Sequence, residues 1–492
     1  MKLMVLAAFF ATGTAQATPR FENLSATIPE HIYAGGWEHF VGGGVAVFDC
    51  NGDLLPEIAA AGGTNPIILL INYGEMSLGT ATFPTITGAT GLYPIDINGD
   101  DILDLYVLRA GRDQVLRGHG DCVFDDATEA WNIPTSDQWS TSFSAWWDEQ
   151  RPVMAVGHYV NRNDPTGPFE ACDDNQLLWP EPDGYHAETL SPGFCALSML
   201  AARDARGRPV LRVSNDRHYY VRNGFEQMWD IETRRFLTED DGWPRVSLWG
   251  MGIASRDLTG DGRDEVMLTS MGDQLLQIAQ SDGTYAPAPF SIGTYAQRPH
   301  DGSDGRPSTG WHAQFGDIDN DGRADLFIAK GNVDQMPSNA IHDPNDLLMQ
   351  QHDGTFTQRA VGAGVASTAR SRGAALADLD GDGRLDLVVV NRRAPMEIYR
   401  NVTETTGHWL RVDLRQSNGN RRAIGAVVTV RTPSTIAQSQ QVTVGGGHAG
   451  GQAIPLHFGL GDDDQARVQV QWPDGTITTH STQADQTLTL TQ

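Results

Sequence analysis

The sequence predicts an all-β fold, a seven-bladed propeller followed by a small C-terminal β-sandwich. Three observations predict it. An acidic nine-residue loop recurs along most of the chain, and each clear copy runs straight into a short apolar strand. The loop starts Asp49, Asp96, Asp148, Asp204, Asp257, Asp317 and Asp378 lie 47 to 61 residues apart, room for four strands and their turns. Beyond Asn401 the repeat stops and short alternating strands take over. Four-stranded units repeated radially make a propeller, and the density of Gly, Pro and β-branched residues argues against a helical solenoid.

Five loops carry oxygen-bearing side chains at positions 1, 3, 5 and 9. They are Asp49, Asn51, Asp53 and Glu57; Asp96, Asn98, Asp100 and Asp104; Asp257, Thr259, Asp261 and Glu265; Asp317, Asp319, Asp321 and Asp325; and Asp378, Asp380, Asp382 and Asp386. Ca²⁺ takes six to eight hard oxygen ligands, and alternate residues of a tight loop can turn their oxygens inward. Gly at position 6 of three loops lets the backbone reverse. An EF-hand places its closing Glu at position 12 between helices. Here position 9 closes the loop and a strand such as Leu387 to Val390 follows at once. The loops are therefore expected inside β-hairpins, holding calcium.

Two repeats have lost their acids. Asp148 and Asp204 keep position 1 alone, and Arg206 and Arg208 stand where the second loop would place ligands. An aromatic marker, at Phe124, Tyr185, Phe225, Tyr285 and Phe356, precedes most loops and is expected to open a strand. Phe21 resembles it but precedes the first loop, so the N-terminal strand is expected to complete the last blade and latch the ring.

The remaining chain divides in order. Lys2, the apolar run Leu3 to Phe10 and Ala15-Gln16-Ala17 read as a signal peptide over 1–17, cleaved after Ala17. The propeller is expected over 18–403. A separate sandwich is expected over 404–492, with strands at Trp409 to Leu414, Ala426 to Arg431, Gln440 to Val444, Val468 to Trp472 and Thr487 to Leu490. No stretch is long and apolar enough to span a bilayer, so the chain is expected to be secreted or periplasmic. In that compartment Cys50, Cys122, Cys172 and Cys195 can form disulfides. Four cysteines permit three pairings, and the expected one joins neighbours along the chain.

These residues carry a resemblance. The loops resemble the FG-GAP/VCBS repeats of integrin α-subunit propellers. The tail, with Gly407-His-Trp-Leu-Arg-Val, Ala423-Ile-Gly-Ala, Leu456-His-Phe-Gly-Leu-Gly and Trp472-Pro-Asp-Gly475, resembles the ASPIC/UnbV domain. The combination is similar to the cartilage acidic protein 1-like (CRTAC1-like) family. The resemblance implies a non-catalytic adhesion or interaction protein and names no ligand.

The chain holds 62 acidic against 35 basic residues, a formal charge of -27 that repels phosphate backbones and argues against nucleic acid as a partner. An extracellular protein or glycan is the expected partner. The alternative is a propeller enzyme acting on a polysaccharide, of lyase or hydrolase type. Its candidate groups would be His158, His218, His312 and His342, if a central channel gathered them. The carboxylates that could act as acid–base pairs are mostly committed to the loops. The tryptophans concentrated over Trp131 to Trp147 and Trp229 to Trp249 are read as blade-to-blade packing rather than as platforms for sugar rings.

Overall fold

The computed structural model describes residues 17–216, 223–295 and 305–492. The expected signal peptide, but for Ala17, and His218 lie outside the described residues. The described strands from 21 to 401 form seven four-stranded antiparallel units, over 45–80, 89–126, 138–190, 196–236, 250–287, 308–358 and 371–401. The last unit contributes three strands of its own. Its fourth is Phe21–Asn23, which pairs with Glu397–Asn401 through Phe21↔Asn401 and Asn23↔Tyr399. The first strands of successive units adjoin one another around the whole circle, from Val45–Phe48 to Ser371–Ala377 and back. The architecture is a β-propeller, closed by its N-terminal strand.

Each first strand faces a crowded axis, and its sequence answers that crowding. Register shifts interrupt the pairing of six of the seven first strands, between Ala89 and Gly91 and between Gly250 and Gly252 for example. Bulges of this kind bend a strand and increase its twist. Between neighbouring blades lie apolar clusters, such as Phe327, Leu347, Met349, Leu376, Leu387 and Tyr399. The aromatic marker opens the outermost strand in Phe124–Asp126, Tyr285–Pro287, Phe356–Gln358 and Phe21–Asn23. In the fourth blade it does not. Phe225 precedes the third strand Gln227–Asp230, and the outer strand is the short Arg235–Phe236.

Two further sheets follow. Leu456–Gly461, His408–Arg415 and Gln486–Thr491 form one; Gln438–Gln441, Val427–Arg431, Gln465–Gln471 and Ile477–Gln483 form the other. Leu410, Val412, Val428, Phe458, Val468 and Trp472 make the core of this sandwich. The strands Leu456–Gly461 and Ile477–Gln483 were not expected. The first has glycines that read as a turn, and the second is a half-exposed alternation of Thr, Ser and His.

The sandwich does not stand apart from the propeller. It sits on the acidic-loop face and sends 443–453 into the central channel, where Gln452–Ala453 adds a parallel strand to Val45–Phe48. A cavity of about 310 Å³ remains between the two bodies, bordered among others by Arg256, Asp378, Arg411 and Gln440.

Candidate metal loops and the closed channel

Each of the five acidic loops joins the first and second strands of its blade, so all five lie on one face. They share one internal bonding pattern. The position-1 carboxylate accepts amides from positions 4 to 6: Asp49 from Gly52 (2.7 Å) and Leu54 (3.0 Å), Asp378 from Gly381 (2.8 Å) and Gly383 (3.0 Å). Position 5 accepts the amide of position 7, as Asp321 does from Arg323 at 2.9 Å. Position 9 reaches back to the amide of position 2. Glu57 accepts from Cys50 at 3.0 Å, and Asp104, Asp325 and Asp386 each accept theirs at 2.9 Å. These bonds anchor the carboxylates of positions 1, 5 and 9 to the backbone and gather them inside the loop.

The gathering is tightest in the sixth and seventh blades, where Asp317, Asp319 and Asp325, and Asp378, Asp380 and Asp386, each bring oxygens within 4.8 Å of one another. Both groups could hold a metal ion. The sandwich covers these two loops: the Gly407 amide donates to Asp319 O at 2.9 Å, and His457 Nε2 bonds Gly383 O at 3.1 Å. The loops at Asp49 and Asp96 are more open, and Asp53 and Asp100 are exposed. In these two, the amide of Asn51 or Asn98 donates to the position-5 carboxylate, at 3.0 and 2.8 Å. Cys50 and Cys122 also come close to Glu57, but their sulfurs are joined in a disulfide and offer no thiolate.

Burial raises these carboxyls. Asp319 is pushed up to about 7 by burial and by the charge of Asp321, and Asp317 and Asp325 rise well above the usual range. Glu57, Asp104 and Glu265 reach about 7, again chiefly from burial. Asp378 reaches only about 6, because the Arg411 guanidinium, 2.9 Å away, opposes the effect of burial. Arg400 stands 2.7 Å from Asp380 in the same loop. Neither Asp319 oxygen has a hydrogen-bond partner, although the residue is only 2% exposed. An unpartnered buried carboxylate is costly, and a hard cation on an all-oxygen donor set offsets that cost.

The two acid-poor repeats are built differently. Asp148 ends the strand Gln138–Asp148 and pairs directly with Arg151, so a two-residue turn replaces the loop. At Asp204 the cation is supplied by the chain: Arg208 donates through Nε at 2.8 Å and Nη2 at 2.6 Å. Arg206, expected at a ligand place, turns away to the carbonyls of Asp282 and Asp241.

Among the described residues the channel holds no cluster of accessible histidines. His158 and His312 are buried, and burial lowers both to about 4; His342 lies on the surface. The segment 443–453 fills the axis and bonds the inner strands in turn. Ser144 Oγ donates to Val444 O at 2.5 Å, the Gly446 amide to Met199 O at 2.7 Å, and the Gly447 amide to Ile253 O at 2.6 Å. Leu92 donates to Ala449 O at 3.1 Å, and Gln452 exchanges bonds with Gln314 at 3.0 and 3.2 Å. A Cβ on Gly44 would lie 1.7 Å from Ala449 O, so glycine is needed where plug and blade meet. No sequence signal marked this plug; Gly445-Gly446-Gly447 reads as a turn.

Disulfides join Cys50 to Cys122 and Cys172 to Cys195, chemistry of an oxidising compartment. Among the described residues no helix is long and apolar enough to cross a membrane.

A ring of four-stranded blades with acidic hairpin loops on one face and a sandwich seated on them defines an FG-GAP-type propeller protein. The FG-GAP-like repeat matches residues 49–107, 257–328 and 337–389, which leaves out the two acid-poor loops, and ASPIC and UnbV matches 416–492. These matches, with the relatives below, support a cartilage acidic protein 1-like arrangement of an FG-GAP propeller followed by an ASPIC and UnbV domain. The chain is similar to Cartilage acidic protein 1 of Homo sapiens, 30% identical over 162 residues, 32% of this chain and 24% of that protein. The Mus musculus protein is 28% identical over 173 residues, 35% of this chain and 26% of that one. The chain thus matches about a quarter of the length of these curated relatives. Among solved structures it is similar to BBS1N in complex with ARL6DN (TM-score 0.47, 8% identity, 78% of this chain and 97% of that one). It is also similar to YCF48 bound to D1 peptide (TM-score 0.43, 8% identity, 79% and 99%). At that level of likeness the fold is read from this chain's own strand pairing.

Proposed function

We propose that this chain is an extracytoplasmic, calcium-binding interaction protein that recognises an extracellular protein or glycan and catalyses no reaction. Asp319 carries the calcium part: both its oxygens are buried and unpartnered, in a loop where carboxylates converge. Calcium would be held by positions 1, 3, 5 and 9 of the five acidic loops. It would supply charge neutralisation and a fixed hairpin, and no bond-making chemistry. The two disulfides and the N-terminal apolar run support export. The binding role is supported by the family and by a channel whose histidines are bonded into the scaffold.

Calcium sites in extracellular modules often have dissociation constants of about 10⁻⁴–10⁻³ M. The test is metal analysis after equilibration in millimolar calcium, with thermal melts in calcium and in chelator. Three or more ions per chain and a higher Tm in calcium are expected; fewer ions, with chelation leaving the Tm unchanged, would overturn the reading.

A further inference from the structure

The face opposite the acidic loops carries a charge pattern that the chain as a whole does not. Residues 392–396 join the second and third strands of the seventh blade, and 331–345 do so in the sixth, so both lie at the other end of the ring. There Arg370, Arg392 and Arg393 converge on one oxygen, Oδ1 of Asp334, at 3.3, 3.0 and 3.1 Å. Beneath them lies Arg372, fully buried, with its guanidinium 3.9 Å from the Trp311 ring centre. Its bonds go to the carbonyls of Phe40, Asn332, Val333, Arg370 and Ser371. Three arginines thus share one carboxylate, above a fourth that bonds only carbonyls, in a chain of formal charge -27.

The same guanidiniums hold a turn with an aromatic ring on it. Arg392 donates to His39 O at 3.1 Å and Gly36 O at 3.3 Å, and Arg393 donates to Gly35 O at 3.1 Å. Between those carbonyls stands Trp37, 43% exposed, its ring 5.0 Å from that of Trp139 in an edge contact. The adjacent Glu38 is engaged by Arg162 at 2.8 Å, and Arg162 also pairs with Asp137. Arg370 donates only through Nη1 among the described residues, and Arg393 is exposed.

We infer that the surface formed by Arg370, Arg393 and Trp37 around Asp334 binds an acidic polysaccharide. Forked guanidinium donors match the two oxygens of a uronate carboxylate or a sulfate. A rigid half-exposed indole beside them offers an apolar face to the sugar ring with little entropy to lose. An acidic peptide would satisfy the arginines and leave the indole without a partner. The inference rests on the interaction role proposed above and names its ligand class. It does not depend on calcium.

The test uses the whole mature chain in millimolar calcium against immobilised polygalacturonate, dextran sulfate, neutral dextran and polyglutamate. Retention on polygalacturonate or dextran sulfate is expected, with little on the other two. Polygalacturonate alone identifies the carboxylate as the recognised group, and dextran sulfate the sulfate. The double variant Arg370→Gln/Arg393→Gln should weaken binding at least tenfold with only a small fall in Tm, and Trp37→Ala should weaken it severalfold. If the glutamine variant melts early, Arg370→Lys/Arg393→Lys keeps the charge, loses the fork and should still weaken binding severalfold. Equal retention on polyglutamate, no retention on either anionic polysaccharide, or unchanged binding by a folded double variant would overturn the assignment. Calcium-dependent melting would be unaffected by that failure, so the two readings are tested apart.

Discussion

The amide of Gly42 donates to His448 Nε2 at 3.1 Å, across 406 residues of sequence. Gly42 belongs to the segment that closes one mouth of the channel, where Phe40 packs on Trp139 and Tyr159. His448 is the tip of the plug that enters from the other mouth. Because Nε2 accepts, the ring proton sits on Nδ1, which lies 3.1 Å from Met251 O and donates to it. The His448 amide in turn donates to His312 Nδ1 at 3.1 Å. The ring therefore ties the N-terminal cap, the fifth and sixth blades and the C-terminal sandwich into one polar chain within the filled channel.

Replacing His448 with Ala should expose that dependence. Gly42 N–H and Met251 O would both lose their partner while buried, at about 1–3 kcal/mol each, and the missing ring would add a void. A lower Tm is expected, with faster proteolysis of the tail than of the propeller. Unchanged cleavage of the tail would show that the plug is held by its backbone bonds alone.

Acid should loosen the same contact. Burial lowers His448 to about 3 and His312 to about 4, against about 6.5 in an unfolded chain. Between roughly pH 6.5 and 4 the unfolded chain takes up protons that the folded one refuses. The stability is therefore full above that window and falls as pH falls, by at most about 1.4 kcal/mol per pH unit for each group. The raised carboxyls act in the opposite sense. Glu57, Asp104 and Glu265, near 7 in the fold, stabilise it while protonated and lose that contribution as pH rises. A variant comparison separates the two. Asn at 312 keeps an acceptor near Nδ1 without the titration, so His312→Asn should show a smaller loss of Tm from pH 7 to pH 5 than the parent chain.

The loops were legible because their information is local. Side-chain oxygens at positions 1, 3, 5 and 9 and an apolar strand at once afterwards are properties of about a dozen consecutive residues. Phe21 was legible as the latch because it repeats a marker seen in the blades. The plug was not legible. Glycines 445–447 are there because backbones of the inner strands approach the segment, and that crowding comes from residues hundreds of positions away. The acid-poor loops were legible only in outline. That Arg208 rather than Arg206 reaches Asp204 depends on how the hairpin turns, which the order of the two arginines does not disclose.

Arg208→Ala tests the internal cation. Asp204 is buried, while the Arg208 side chain is one-third exposed, so part of the pairing is screened by solvent. Removing the arginine leaves a buried carboxylate with backbone donors alone, and a loss of about 1–3 kcal/mol is expected. The loss should be the same in calcium and in chelator. A loss that calcium restores would mean that this loop takes a metal ion once the guanidinium is gone.

Asp319→Asn is the sharpest test of the metal loops, because its two effects have opposite signs. Without a cation, Asp319 is a buried carboxylate beside Asp321, with no donor on either oxygen. A neutral amide of the same shape removes that repulsion, so in chelator the variant should melt no lower than the parent, and by our reading higher. In saturating calcium the same change removes a charged ligand. A tenfold loss of affinity at that site would cost about 1.4 kcal/mol of the stabilisation by linkage, and the variant should melt below the parent. Asp53→Asn, in the exposed first loop, should weaken calcium binding yet change the chelated Tm little, since water already solvates that carboxylate. A fall in both conditions for Asp319→Asn would mark the side chain as a structural acceptor, and calcium stabilising parent and variant equally would exclude it as a ligand.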